Sequence, residues 1–275
     1  ADGSVSAVWP SEAFTVNAGV TVSFNENDNL GKVVSSKIDG VLELVDNVTI
    51  NSLVFADPSS TGQIKVTRNI TRQGWQHFGL PIKGTSTASL SDIVTTGFNF
   101  NYTNPPSNQT NIYYWDAASA SWLVPTPATL IAGNSFNVFS TGSAKLSITV
   151  SVIEFNNDQV VQSYTYFNPG PSTTPPGNAF GWTAVVTDGW NMWANPYQSY
   201  IASDDLMLSA DLDNAVYVWD GTQYQSRSGG SGAAEFIGPH QAFFVRTSGI
   251  SSALAIPQSD RKSTRLNSSH MSISY

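Results

Sequence analysis

The 275-residue chain carries 12 Lys and Arg against 20 Asp and Glu, a formal net charge of −8, and no cysteine. Charged residues make up 12% of it, hydrophobic residues 40% and aromatics 12%; a charged share about half the usual ~25% argues against a helical bundle with charged outer faces and against disorder, which pairs low hydrophobicity with high charge. The acidic balance argues against nucleic acid as a partner, the lack of Cys removes disulfides, thiolate catalysis and Cys-ligated metals, and no apolar run reaches the ~18 residues of a membrane span.

The chain starts at Ala1 with no initiator Met, as a mature form or an internal fragment does. Up to about Arg72 it reads as short β-branched strands: Phe14-Thr15-Val16, Val20-Thr21-Val22, Val41-Leu42-Glu43-Leu44, Val48-Thr49-Ile50 and Ile64-Lys65-Val66. Gly19, Gly31, Gly40 and Gly62 punctuate them, which predicts an all-β layer. The single short helix candidate begins at Ser203 as N-cap, with Asp204 and Asp205 in its first turn and Leu206-Met207-Leu208 after them. Two Pro-rich stretches, Asn104–Asn108 and Asn168–Gly177, cannot continue a central strand and are expected to be exposed loops. The last fifteen residues, Arg261–Tyr275, hold three of the twelve basic residues and resemble a translated sequencing-adapter tail; the segment is expected to be non-native and to add nothing to the fold.

An internal repeat runs through the middle and end of the chain. Gly74-Trp75-Gln76-His77-Phe78-Gly79-Leu80-Pro81 matches Gly189-Trp190-Asn191-Met192-Trp193-Ala194-Asn195-Pro196. Ile112-Tyr113-Tyr114-Trp115-Asp116 matches Val216-Tyr217-Val218-Trp219-Asp220, and Ser135-Phe136-Asn137-Val138 matches Ala242-Phe243-Phe244-Val245. Each Trp-Asp pair precedes a turn and a second aromatic strand, so each predicts a β-hairpin, clearest at Asp220-Gly221. The Trp-Asp pairs lie too far apart for propeller blades, which recur every ~40–45 residues.

These motifs resemble a repeat module of large Bacteroidota cell-surface and secreted proteins. The matching text is Gly189-Trp190-Asn191-Met192-Trp193-Ala194-Asn195-Pro196-Tyr197, Val216-Tyr217-Val218-Trp219-Asp220-Gly221 and Pro239-His240-Gln241-Ala242-Phe243-Phe244-Val245. The first copy is degenerate, with Gly79-Leu80-Pro81 where Ala194-Asn195-Pro196 stands later. The resemblance covers roughly Thr15 to Pro257 and implies a cell-surface or extracellular location and export by the type IX route, which uses a C-terminal sorting domain not visible here. It implies no general enzymatic activity.

Candidate chemistry is sparse. His77 and His240 sit in repeat-strand or turn positions and read as structural; no Gly-x-Ser-x-Gly elbow accompanies them. Glycoside hydrolysis needs two opposed carboxylates, and Asp92, Glu154, Asp158 and Asp188 have no spacing that pairs them. From Leu146 to Ser226 there is no Lys or Arg, and Asp204, Asp205, Asp211 and Asp213 crowd one loop with Asn214. Those hard oxygens suit Ca²⁺, the one cofactor to be weighed; the spacing is not that of an EF-hand, and a solvated acidic loop is the favoured reading. Trp193, Tyr197 and Tyr200 beside Asn195-Pro196 are candidates for a sugar-stacking platform, whereas Trp75, Trp115, Trp190 and Trp219 read as core. Four Asn-x-Thr sequences, at Asn47, Asn69, Asn101 and Asn108, carry no weight in the bacterial source that the resemblance implies.

The resulting expectation is an all-β protein with a strand-rich N-terminal segment at 1–72. Two pseudo-repeated antiparallel β-sandwich, jelly-roll-like units follow at 73–152 and 153–257, with a non-native tail at 258–275. The expected role is a non-enzymatic structural or adhesive surface module, filament-forming in one version, with polysaccharide, protein or a second copy of itself as partner. A carbohydrate-binding module is the alternative and a glycan-active hydrolase the third reading.

Overall fold

The computed structural model describes residues 14–25, 36–46, 57–79, 82, 88–102, 110–125, 134–152, 160–163, 189–206, 212–228, 236–247 and 253–256. The fold is all-β. The first strands are β1 (Phe14–Val16), β2 (Thr21–Phe24), β3 (Ser36–Ile38), β4 (Val41–Val45) and β5 (Gln63–Ile70), followed by β6 (Gln73–Gly79) and β7 (Val94–Thr96). Then come β8 (Ile112–Asp116), β9 (Ser121–Leu123), β10 (Ser135–Thr141), β11 (Ala144–Ser151) and β12 (Val160–Ser163). The remainder are β13 (Trp190–Ala194), β14 (Ile201–Ala202), β15 (Leu212–Trp219), β16 (Tyr224–Ser228), β17 (Phe236–Ile237), β18 (Ala242–Thr247) and β19 (Ala253–Ile256). The helix expected from Ser203 is a single 3₁₀ turn, Ser203–Leu206, a length at which nucleating an α-helix is unfavourable. Val48–Ile50, the Asn168–Gly177 loop and the Arg261–Tyr275 tail lie outside the described residues.

The N-terminal strands stack in parallel, not antiparallel as hairpins would. β1 pairs with β3, and β2, β4 and β5 form a parallel run. Successive turns of the chain therefore repeat about every 20–22 residues, with Thr21 beside Val41 and Val41 beside Gln63. In-register pairing puts like residues in columns: Val22–Leu42–Ile64 and Phe24–Leu44–Val66 line the core face. On the other face Glu43 accepts from Ser23 at 2.8 Å and pairs with Lys65 at 2.9 Å. The corners close tightly: a Cβ on Gly62 would stand 2.2 Å from the Gly40 carbonyl oxygen, and one on Gly40 would stand 2.2 Å from that of Val20.

This run continues antiparallel into β11 and β7, giving a five-stranded sheet in the order β2-β4-β5-β11-β7. Its inner face packs on a four-stranded sheet, β6-β10-β8-β9, and the shared core includes Leu42, Ile64, Leu146, Ile148, Phe78 and Phe136. The 72/73 boundary drawn from sequence thus falls in the turn between β5 and β6, whose two sheets share one core. A second four-stranded sheet, β13-β18-β15-β16, packs on the far side of the first. Its outer face carries Trp193, Val216, Val218, Phe243 and Val245, covered by Tyr197, Ile201, Leu206 and Ile237. Strand alternation sends Trp190, Met192 and Phe244 to the opposite face, toward the first sheet.

Because the coil corner has no room for a side chain, Gly62→Ala is expected to destabilise the protein by about 1–3 kcal/mol, the usual range for overpacking. A urea melt read by far-UV circular dichroism checks this; a midpoint unchanged from wild type would show that the corner can yield.

Candidate functional site

The two four-stranded sheets share one plan. Both run in the spatial order first strand, last strand, then the two arms of the Trp-Asp hairpin. Their registers also correspond: His77–Asn137–Tyr113 form one cross-strand row and Met192–Phe244–Tyr217 the other. The sheets meet face to face through these aromatic sides. The Trp115 indole Nε1 donates to the Trp190 carbonyl at 2.8 Å, and the Trp219 Nε1 donates to the Trp75 carbonyl at 3.0 Å. Each hairpin tryptophan therefore bonds the first strand of the other sheet. Ser135 Oγ donates to the Met192 carbonyl at 2.9 Å, and the Gly79 N–H to the His240 carbonyl at 3.0 Å. Gly79 is required where it stands, because a Cβ there would lie 2.1 Å from the Cβ of Ala194, its counterpart in the other sheet.

His77 is enclosed by the rings of Trp122, Trp219, Tyr224 and Phe244, all with centroids 5.7–6.0 Å away. Both its ring nitrogens are buried without a hydrogen bond, and burial pushes its pKa down to about 3. It is a neutral plug in an aromatic cage, at the position that Met192 fills in the other sheet. Burial also holds the Tyr224 phenol well above its ordinary range.

At one side of this contact a cleft of about 210 Å³ opens between the β5–β6 turn of the first sheet and the β15–β16 hairpin with residues 236–241 of the second. Arg68, Arg72 and Arg227 line it, with Asp46 and Asp220. Both carboxylates are engaged by their own neighbours. Asp220 closes its hairpin turn by accepting from Thr222 N at 2.8 Å, Gln223 N at 2.9 Å and Gln225 Nε2 at 2.8 Å. Burial acts to raise its pKa, but these hydrogen bonds outweigh it and hold the carboxyl well below the usual carboxylate range. Asp46 accepts from Asn69 N at 2.6 Å and Nδ2 at 2.7 Å. His240 lies at the cleft floor with φ 60° and 1% exposure. Burial, aided by the charge of Arg68 and opposed by the nearby Gly79 and Asp46 backbone, pushes its pKa to about 3.

The residues expected to stack a sugar are elsewhere. Trp193 is 6% exposed and Tyr197 1%, both in the core beneath the second sheet. Asn195, fully buried, donates through Nδ2 to the carbonyls of Ser199, Ile237 and Gly238 and accepts from Tyr197 N. The chain folds back after Pro196 instead of leaving the sheet, so no exposed platform can be built from these groups as they stand. Tyr200 is half-buried against Phe236.

Of the calcium candidates, Asp213 pairs with Arg246 at 3.0 Å. Asp204 and Asp205 fall in the 3₁₀ turn, with their side chains outside the described residues, as is Asp211. Among the described residues no three His, Asp or Glu side chains converge as a metal site. Asp92 caps the short turn Leu90–Asp92 by accepting from Ser89 N at 2.7 Å; Glu154, Asp158 and Asp188 lie outside the described residues. Sequence reasoning missed the cleft. Its only trace is that Arg68, Arg72 and Arg227 are among the few basic residues of an acidic chain. Comparison with protein-family models, curated proteins and solved structures finds no match to this chain.

Trp193→Ala is expected to cost about 3–5 kcal/mol, as truncating a packed Trp does; chemical denaturation checks it, and a loss below about 1 kcal/mol would place the ring outside the core. The buried histidines give a pH dependence of definite sign. The unfolded chain takes up their protons below about pH 6.5, the ordinary His value, whereas the folded chain does so only near pH 3. Their stabilising contribution is therefore complete above pH 6.5 and is lost as pH falls toward 3. His77→Met should flatten the stability profile between pH 6 and 4 by on the order of 1 kcal/mol per pH unit, measured by urea melts of mutant and wild type in parallel.

Proposed function

We propose that this chain is a non-enzymatic structural or adhesive module of a bacterial cell-surface protein, built from two pseudo-repeated β-sandwich units and working outside the cell. The observation that carries the reading is the reciprocal bonding of Trp115 to Trp190 and Trp219 to Trp75 across the aromatic contact. It ties the two four-stranded sheets together directly, so tension entering at one is passed to the other. Interior aromatics also favour this reading over the sugar-platform alternative, since Trp193 and Tyr197 are taken up by packing. The resemblance to Bacteroidota surface modules points the same way and supplies the extracellular location and a self-associating or polysaccharide-bound role.

Mechanical unfolding tests it. Pulled by its ends in a force microscope, the chain should yield in one event, and the double variant Trp115→Phe, Trp219→Phe should yield in two. Each lost indole donor leaves a buried carbonyl unpaired at a cost of roughly 1–3 kcal/mol. Two separate events in the wild type would overturn the idea that the contact acts as a clamp.

A further inference from the structure

We propose that the cleft between the two four-stranded sheets binds a carboxylate-bearing sugar, a uronic acid residue of an acidic polysaccharide, with Arg72 taking the carboxylate. The proposal names a ligand for the adhesive reading but does not depend on the clamp. Three observations converge on it.

The first is charge. A chain of net charge −8 with 12 basic residues places three arginines around one cleft. The two carboxylates there do not neutralise Arg72. Its single hydrogen bond runs from Nη1 to the Asp220 backbone carbonyl, and it forms no ion pair among the described residues. Gly221 leaves room for it: φ there is +99°, and a Cβ would stand 2.7 Å from Nη1. A half-buried guanidinium with most of its five N–H donors unused presents the planar fork that matches a carboxylate bidentately.

The second is an unmet polar group on the same wall. Gln76 Nε2 is buried without a hydrogen-bond partner. An amide nitrogen offers two donors. Sugar hydroxyls can accept them, and a uronic acid joins hydroxyls to a carboxylate on one ring.

The third is size and lining. About 210 Å³ suits one pyranose ring and its substituents, below the ~300–1,000 Å³ typical of drug-sized ligands. Half-buried Trp219 and Phe236 supply apolar wall for the C–H face of the ring.

Calorimetric titration of the full chain with trigalacturonate, with neutral galactotriose and with a short peptide bearing a free C-terminal carboxylate decides it. The expected result is trigalacturonate binding at least about tenfold tighter than either of the others. Arg72→Gln should abolish that preference, with a melting curve of the variant confirming that it is folded at the titration temperature. Arg72→Lys keeps the charge but loses the fork, and should recover only part of the affinity. Equal affinity for the two trisaccharides, no trigalacturonate binding at millimolar concentration, tighter binding of the peptide, or an unchanged preference in Arg72→Gln would each overturn the assignment. None of these outcomes bears on the mechanical test, so the clamp stands or falls separately.

Discussion

The exchange of indole hydrogen bonds between the two four-stranded sheets is the constraint on which the rest of the structure depends. A tryptophan brings a large apolar surface and one N–H that must find an acceptor once buried. A first strand whose far side faces another sheet brings carbonyls that must find donors. Trp115 with Trp190, and Trp219 with Trp75, answer both needs twice over. The solution works only if the sheets approach in one relative orientation, so it fixes the geometry of the contact as well as stabilising it. Gly79 against Ala194 shows how close that approach is.

The two sheets match in plan but not in content, and the differences are where chemistry collects. His77 stands where Met192 stands in the other sheet, and Asn137 where Phe244 stands. At both of these positions the polar member belongs to the first sheet. An aromatic cage can exclude water from an imidazole but cannot satisfy it, so His77 stays neutral and makes stability sensitive to acid. The cleft lies at the same contact, where the β5–β6 turn and the Asp220-Gly221 hairpin come together from opposite sheets. Arg68 and Arg227 stand on strands from the two sides, and Arg72 stands in the turn between β5 and β6.

The sheets also differ in what covers their outer faces. The first is backed by a five-stranded sheet whose parallel columns of Val, Leu, Ile and Phe form a continuous core. Among the described residues, the second is backed by short strands, a 3₁₀ turn and Tyr197, pinned by Asn195. One side-chain amide there bonds the carbonyls of Ser199, Ile237 and Gly238 and so ties the irregular cover together. This is why the Asn195-Pro196-Tyr197 segment turns inward and is not a recognition surface.

Local pattern was enough for the sequence to determine the all-β class, the positions of most described strands, both Trp-Asp hairpins and the correspondence of three motifs. Period-two alternation, β-branched runs and turn residues act within a few residues of chain, and they are legible there. The sequence also carried the 20–22-residue spacing of the N-terminal coil in Gly40 and Gly62, but parallel pairing joins residues a full turn of chain apart and leaves no local mark. Only the tertiary structure decided which face of each sheet met which. That choice buried Trp193 and Tyr197, left Trp219 half-exposed at a cleft, and gathered Arg68 and Arg72 with Arg227 from more than 150 residues away in the sequence. Alternation says that two faces of a strand differ, but the partner of each face is set by packing between sheets, which depends on every strand at once.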